Sequence, residues 1–421
     1  MQTNLADFIR DTPEGREADA ILRKCVHCGF CTATCPTYQL LGDENDGPRG
    51  RIYLMKQMLE GQAVTEKTRL HLDRCLTCRA CETTCPSGVR YGRLLDIGRA
   101  LVEERVARPA WERIKRRALA AVLPRHALFA PLLKFGQLTR RFLPARLADK
   151  VPASAPAAGA WPGPRHSRRM LVLAGCVQRS LAPGINAAAA RVLDRIGISL
   201  IEAKGAGCCG ALRYHLDFQN DGLADMRALI DAWWPHVENA DKDAARDMNE
   251  DAARGVETIV MTASGCGVMV KEYARLFERD PAYAAKAAKI SAMTRDISEV
   301  LAAEFDRLPR LSKKGARLAF HPPCTLQHGQ DIKGTTERLL ARAGFELTPV
   351  PDAHLCCGSA GTYSILQPVL SEQLKRNKLS ALASGGPELI VTANIGCLVH
   401  LQSGTETPVK HWISALDARL N

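Results

Sequence analysis

The hydrophobic pattern changes along the chain. In the second half, short apolar runs at residues 171–173 and 318–320 each precede a cysteine and a helix-type pattern, and apolar runs at 258–261 and 389–391 follow. Runs of this length are typical of buried strands. The first hundred residues instead show helix-type patterns, for instance at 51–60. The pattern therefore predicts an α+β multidomain protein, mostly helical at its start and α/β in two later units.

The two later units are copies of one repeat. Each copy has a cysteine, a Cys-Cys-Gly sequence starting 32 positions later, and then a fourth cysteine. Residues 191–203 of the first copy match residues 338–350 of the second. The first copy carries 17 extra residues before its last cysteine, which we expect around residues 233–252. The repeat cysteines are Cys176, Cys208, Cys209, Cys266, Cys324, Cys356, Cys357 and Cys397.

Eight other cysteines form two runs near the start of the chain. Both runs have the spacing Cys-x2-Cys-x2-Cys-x3-Cys-Pro. In bacterial ferredoxins, three thiolates of such a run bind one 4Fe–4S cluster and the fourth binds the other cluster. The spacing therefore predicts two 4Fe–4S clusters with crossed ligands. The first cluster is assigned Cys25, Cys28, Cys31 and Cys85, and the second is assigned Cys35, Cys75, Cys78 and Cys81.

Zinc is the main alternative at these runs, together with buried free thiols. Zinc sites usually pair Cys-x2-Cys units across a longer gap, which two complete four-cysteine runs do not resemble. Four arginines lie near the runs. Their charge could raise the reduction potentials of the clusters, but for any one of them we expect a place on a solvated basic face. These are Arg49, Arg51, Arg74 and Arg79.

The repeat cysteines predict one metal site in each copy. We interpret these sites as positions for one or two further iron–sulfur clusters. Eight more cysteines in a reducing compartment need a reason, and adjacent cysteines can reach different irons of one cluster. Buried structural thiols are the alternative. Histidines near the cysteine loops could be ligands or proton carriers, but we expect hydrogen-bonded structural roles. They are His321, His328, His354 and His400.

One motif in the first copy suggests a nucleotide site, but the second copy does not contain it. Residues 205–210 read Gly-Ala-Gly-Cys-Cys-Gly, which formally fits the dinucleotide fingerprint. At the corresponding place, residues 352–358, the second copy keeps the cysteines and loses the earlier glycines. We therefore expect no flavin and no NAD on this chain.

The positive charge is concentrated in one segment. The net charge is +12, yet residues 105–150 contain twelve Lys and Arg against two acids. The rest of the chain is nearly neutral, which argues against a nucleic-acid binder. Within the segment, basic and apolar residues alternate and prolines interrupt them. This pattern is compatible with contact to an anionic membrane surface, and equally with a partner-docking or solvated connector.

The complete layout resembles the iron–sulfur subunits of flavin-linked hydroxy-acid dehydrogenases, and most closely those of glycolate oxidases. The resemblance covers nearly the whole chain. The stretches that carry it are CCGALRYHLD from Cys208, ASGCGVMVKEY from Ala263, HPPCTLQHGQ from His321, HLCCGSAGTYS from His354 and ANIGCLVHLQSGT from Ala393.

The chain also resembles the cysteine-rich subunits of heterodisulfide reductases, with one departure. Repeats of that family usually end in Cys-x2-Cys, whereas here Cys266 is followed by Met269 and Cys397 by His400. Each repeat therefore lacks a fifth cysteine. This puts the noncubane cluster of those enzymes in doubt for this chain.

The resemblance implies an oxidoreductase subunit without catalytic residues of its own. Flavoprotein partner subunits would oxidise glycolate to glyoxylate, and electrons would pass through this chain's clusters toward a quinone or another membrane acceptor. Three alternatives stay open. The donor could be a lactate or glycerol-3-phosphate dehydrogenase, the repeats could reduce disulfides, or the metal could serve a scaffold without electron traffic.

Four regions are expected. They are a two-cluster ferredoxin-like domain at 1–104, a basic Pro/Ala-rich connector at 105–167, and the two repeats at 168–308 and 309–421. The first fifteen residues hold no apolar run that could act as a signal peptide, and the chain has no run of about 18 apolar residues. We therefore expect a cytoplasmic protein, with peripheral attachment to the inner face of the cell membrane as an open alternative.

Overall fold

The structure is a computed structural model, and it describes residues 1–142, 151–152, 154, 157–238, 255–308 and 315–420. Most of the extra residues expected around 233–252 lie outside the described residues. The part of the connector at 143–150 and the start of the second repeat at 309–314 also lie outside them. The four expected domain boundaries stay a prediction.

The N-terminal unit is helical. Its helices are α1 Asp7–Arg10, α2 Pro13–Lys24, α3 Pro36–Leu41, α4 Pro48–Leu59, α5 Glu66–Asp73, α6 Ala80–Thr83 and α7 Tyr91–Arg105, with 3-10 turns at Phe30–Thr32 and Glu44–Asp46. Helices α2, α3 and α4 each begin at a proline, whose fixed φ suits the first helical position. Helix α7 packs against α2, α4 and α5, and this packing buries Leu22, Met55 and Leu94 completely.

The two cysteine runs share an unusual backbone. The second residue after the first cysteine is left-handed in both, with φ of 61° at His27 and 55° at Thr77. Two positions further on, Gly29 and Arg79 are also left-handed, with φ of 86° and 61°. Residues other than glycine adopt this region at a cost of about 1–2 kcal/mol each. Alternating left-handed residues curl each run into a tight loop, so its first three cysteines line one cavity.

Two helices of the connector are described, α8 Ala110–Val122 and α9 His126–Thr139, followed by a 3-10 turn at Arg140–Phe142. Pro124 lies in the break between the helices, whereas Pro131 lies inside α9. Among the described residues, no single helix is long and apolar enough to cross a membrane. Residues 110–122 and 126–142 meet the criteria of length and composition together, but they are bent by 108°.

The first repeat is built on a four-stranded parallel sheet in the order β2-β1-β3-β4. Its strands are β1 Arg168–Val172, β2 Ile198–Glu202, β3 Thr258–Met261 and β4 Thr294–Asp296. Its helices are α10 Gln178–Leu181, α11 Gly184–Asp194, α12 Ala211–Tyr214, α13 Gln219–Val237, α14 Ser264–Lys271, α15 Tyr273–Leu276, α16 Ala284–Met293 and α17 Ile297–Glu304, and a 3-10 turn follows at Phe305–Arg307.

The second repeat has the same topology, with strand order β6-β5-β7-β8. Its strands are β5 Arg317–His321, β6 Glu346–Leu347, β7 Leu389–Thr392 and β8 Val409–His411. Its helices are α18 Cys324–Gln327, α19 Thr335–Arg342, α20 Tyr363–Leu366, α21 Pro368–Ala383, α22 Ile395–Gln402 and α23 Trp412–Leu420. The α+β multidomain class is thus confirmed, and the fourth strand of each sheet is an element that the apolar runs did not predict.

The two repeats share one hydrophobic core. Helix α11 of the first packs against α23 of the second, and Arg191 forms an ion pair with Asp417 at 2.6 Å across this contact. His411 Nε2 lies 2.8 Å from the Thr262 carbonyl oxygen, and Ser264 N donates to the Ala393 carbonyl. Alternate apolar residues of the strands in both sheets belong to one continuous cluster, and the others lie in two separate clusters. The pair of repeats is therefore a single packed body.

Candidate iron–sulfur and thiol sites

The first predicted ligand set lines one cavity. Cys25 follows α2, Cys28 and Cys31 lie in the tight loop, and Cys85 follows α6. Burial, and after it the neighbouring thiols of Cys25, Cys85 and Cys28, raise the pKa of Cys31 to about 11. Cys28 is exposed. One edge of this site therefore faces solvent.

The second predicted set lines another cavity and is more enclosed. Cys35 caps the start of α3, while Cys75, Cys78 and Cys81 come from the second loop. Burial raises the pKa of Cys81 well above its ordinary value, and the charges of Cys78 and Cys75 act in the same direction. Tyr91 Oη donates to Cys75 Sγ at 3.6 Å. Hydrogen bonds to cluster sulfurs are one of the means by which proteins tune cluster potentials.

The two cavities are neighbours. Cys81, Pro48 and Tyr91 line both of them. Each cavity brings together three cysteines of one run and the last cysteine of the other, which is the arrangement that two crossed cubanes require. Four sulfur donors around one cavity fit a 4Fe–4S cluster. The assignment of individual thiolates to irons stays a prediction.

Arg51 differs from the other arginines near the runs. It is 1% exposed, and its guanidinium donates to the His71 carbonyl, to Thr37 Oγ1 and to Asp46. It also lines the second cavity. The expected solvated basic face is wrong for this residue, because its side chain lies inside the helical unit. The other three arginines are ion-paired to carboxylates: Arg49 with Glu44, Arg74 with Asp46 and Arg79 with Glu272.

The first repeat brings its four cysteines together. Cys176 follows β1, Cys208 and Cys209 follow β2, and Cys266 lies in α14 after β3. A hydrogen bond from Cys176 to Cys208 raises the pKa of Cys176. The same bond, together with one from Cys209, lowers the pKa of Cys208. The thiols therefore lie at the carboxyl ends of parallel strands, where ligands of open α/β sheets usually bind.

The second repeat gathers Cys324, Cys356, Cys357 and Cys397 at the same place in its sheet. Its Cys-Cys-Gly turn needs a glycine, since Gly358 has φ of 87° and a Cβ there would lie 2.6 Å from the Ser371 carbonyl oxygen. Gly210 occupies the same position in the first repeat, with φ of 79°. This glycine lets the backbone of each turn pass close to the following helix.

The second repeat also touches the second ferredoxin site. Cys324 donates hydrogen bonds to Cys356 and then to Cys78, and both bonds raise the pKa of Cys324 well above its ordinary value. Cys78 packs against a small apolar cluster that contains Leu76 and Tyr363. This contact could not be predicted from sequence patterns, because Cys78 and Cys324 are far apart along the chain.

Two of the four histidines near the cysteine loops, His328 and His400, have hydrogen bonds through their rings, as expected. His328 bonds through one ring nitrogen to Thr83 Oγ1 at 2.9 Å and through the other to the His354 carbonyl oxygen at 2.9 Å. His400 Nε2 lies 3.3 Å from Ser371 Oγ, and the side chain of His354 is partly exposed. His321 is different, because it is completely buried beside the thiols.

Comparison with protein-family models gives matches over most of these elements. Residues 21–89 match a 4Fe–4S dicluster domain, and residues 170–271 and 318–402 match a cysteine-rich domain. A crystal structure of a hypothetical protein from Helicobacter pylori covers 99% of this chain and 75% of its own, with a TM-score of 0.55 and 10% identity. This last likeness concerns the fold alone.

Individual relatives match between 56% and 100% of this chain. The glycolate oxidase iron–sulfur subunit of Escherichia coli (strain K12) is 55% identical over 421 residues, which are 100% of this chain and 99% of the relative. A probable glycolate oxidase iron–sulfur subunit of Bacillus subtilis (strain 168) is 30% identical over 91% of this chain and 89% of the relative. Lactate utilization protein A of Geobacillus kaustophilus (strain HTA426) is 26% identical over 56% of this chain and 92% of the relative.

The fold, the two groups of sulfur donors and these matches define an iron–sulfur electron-transfer protein of the oxidoreductase class, which carries 4Fe–4S clusters. Within that class, the chain belongs to the family of glycolate oxidase iron–sulfur subunits.

The crossed arrangement can be tested with single serine variants. Cys85→Ser and Cys28→Ser should damage the same cluster, so each should lower the iron content by about four per chain. The cluster that remains should have the same EPR spectrum and the same reduction potential in both variants. Cys78→Ser is the control, because it should leave the other cluster. A spectrum of Cys85→Ser that matched Cys78→Ser would contradict the crossing.

The buried charge of Arg51 should set the potential of the second cluster. In Arg51→Met we expect that potential to fall by on the order of 60 mV, a tenfold change for one electron, because the added electron loses a nearby positive charge. Arg51→Lys keeps the charge and should stay near the wild-type value. Arg49→Met, which removes an arginine beside the first cavity, is the control. EPR-monitored redox titration measures the effect, and an unchanged potential in Arg51→Met would argue against it.

Proposed function

We propose that the chain is the electron-relay subunit of a glycolate oxidase. In this proposal, flavoprotein partner subunits oxidise glycolate to glyoxylate, and the electrons pass through the clusters of this chain to a quinone in the membrane. The observation that supports the proposal most is the 55% identity to the Escherichia coli subunit over the full length of both chains. The bound clusters supply one-electron storage, and the chain supplies their ligands and spacing.

The positions of the sites suggest an order of transfer. The first site has an exposed cysteine and lies beside the exposed side chains of Val26 and Phe30, so a partner can approach it closely. The second site shares lining residues with the first and is buried. Its Cys78 packs against the small apolar cluster that contains Cys324 of the second repeat. We therefore propose that electrons enter at the first cluster and pass to the second, next to the repeats.

The proposal predicts a division of labour. The purified, cluster-loaded chain alone should not oxidise glycolate. After reconstitution with its flavoprotein partners, glycolate should reduce the clusters, and EPR in rapid-freeze samples should detect this reduction. Lactate and glycerol-3-phosphate serve as comparison substrates. Glycolate oxidation by the chain alone would refute the relay role, and faster cluster reduction by lactate would favour the alternative donor.

Helices α8 and α9 support a peripheral membrane contact. Helix α9 buries none of its residues, and its exposed apolar side chains include Leu132, Phe135 and Leu138. Lys134 lies among them, and Arg140 and Arg141 follow directly. Exposed apolar side chains flanked by basic residues match the chemistry of an anionic lipid surface better than that of water. We propose that this helix pair lies on the membrane that holds the quinone.

Vesicle binding tests this contact. The double variant Leu132→Glu with Phe135→Glu should lose most of its co-sedimentation with vesicles that contain anionic lipid, because the buried apolar area and part of the positive charge are lost. Val369→Glu is the control, since Val369 is an equally exposed apolar side chain outside these helices. Wild-type binding should weaken in vesicles of zwitterionic lipid. If the double variant bound like wild type, the helix pair would not be the contact.

A further inference from the structure

His321 has no hydrogen-bond partner although it is completely buried. It is the last residue of β5, it is 0% exposed, and among the described residues neither of its ring nitrogens has a partner. Leaving a buried donor or acceptor unsatisfied costs about 1–3 kcal/mol. Such a group in a folded protein usually marks an interaction that protein atoms alone do not supply.

The surroundings of His321 supply such an interaction. A ring nitrogen of His321 and the Sγ atoms of Cys357 and Cys397 all lie within 4.8 Å of one another. The two cysteines are buried as well. Cys357 comes from the Cys-Cys-Gly turn and Cys397 from α22, so three separate elements meet at this point.

The spacing of these three atoms fits one metal ion. Tetrahedral zinc has Zn–S distances of about 2.3 Å and Zn–N distances of about 2.0–2.1 Å, so its donor atoms lie about 3.6–3.8 Å apart. In a cubane each thiolate binds a different iron, and its sulfurs are correspondingly farther apart. A group held within 4.8 Å therefore needs little movement to close around one ion.

The first repeat lacks this feature. The residue three positions before its first cysteine is Leu173, at the place that His321 occupies before Cys324. Leu173 is buried in an apolar cluster that also contains Cys209. The two copies share a fold and four cysteines each, and the nitrogen donor is found at this position in the second.

A buried lysine also lies beside the second site. Lys378 of α21 is 3% exposed, and its ammonium donates to the Asp352 carbonyl oxygen at 2.8 Å. A buried cation at this place would offset the negative charge of metal-bound thiolates.

We propose that the second repeat binds a single zinc-type metal ion through His321, Cys357 and Cys397, with Cys324 or Cys356 as the fourth donor. The site is enclosed by protein, as structural zinc sites are. It ties the end of β5 to the Cys-Cys-Gly turn and to α22. The site does not depend on the identity of the substrate, so it stands or falls separately from the proposed function.

The decisive measurement is the metal content of the full chain after expression with zinc supplied and anaerobic purification. Wild-type protein should contain about one zinc per chain besides its iron. His321→Leu, which introduces the residue of the first repeat, should lose that zinc and keep its iron. His328→Leu is the matched control, because His328 lies in the same repeat with both ring nitrogens hydrogen-bonded. Wild-type protein without zinc, or His321→Leu with undiminished zinc, would overturn the proposal.

X-ray absorption at the zinc edge provides a second readout that tolerates poor folding of the leucine variant. The wild-type spectrum should show both sulfur and imidazole scattering at the distances of a tetrahedral site. His321→Cys offers another soft donor, so it should retain zinc and lose the imidazole contribution. A wild-type spectrum with sulfur scattering alone would exclude His321 as a ligand.

Discussion

The helical unit depends on bringing two groups of four thiols into small, largely buried spaces. Thiolates repel one another and are poorly solvated there, as the raised pKa values of Cys31 and Cys81 show. Iron relieves this conflict because it binds the ionised sulfurs. Since each cavity draws on both runs, cluster binding ties residues 25–35 to residues 75–85. Binding of the clusters would therefore both stabilise this unit and form its electron path.

A single buried charge accompanies this arrangement. Arg51 lies beside the second site, and three hydrogen bonds hold its guanidinium. A buried ion is expensive unless it is paired, and Asp46 supplies the pairing. The positive charge offsets the negative charge that thiolates and an added electron bring to the same region.

The two repeats have the same fold but differ in the residues around their thiols. Both place four cysteines at the carboxyl ends of their strands, where the loops of an open parallel sheet converge. Their shared core fixes them to each other. The surroundings of the thiols differ, however, since the second site has a buried histidine and contacts Cys78. The second repeat thus has a histidine beside its thiols where the first has Leu173, although the two sheets have the same topology.

The sequence by itself determined the repeat, the α+β class and the two ferredoxin runs, because spacing and periodicity are local properties of the chain. The grouping of Cys85 with Cys28 as ligands of one cluster was predicted from the cluster chemistry and stays a prediction, although both line one cavity. Only the tertiary structure decided that Arg51 is buried, that Cys324 packs near Cys78, and that His321 lies near two thiols without a hydrogen-bond partner. These facts depend on which distant segments pack together, and burial and pairing arise from that packing rather than from neighbours in the chain.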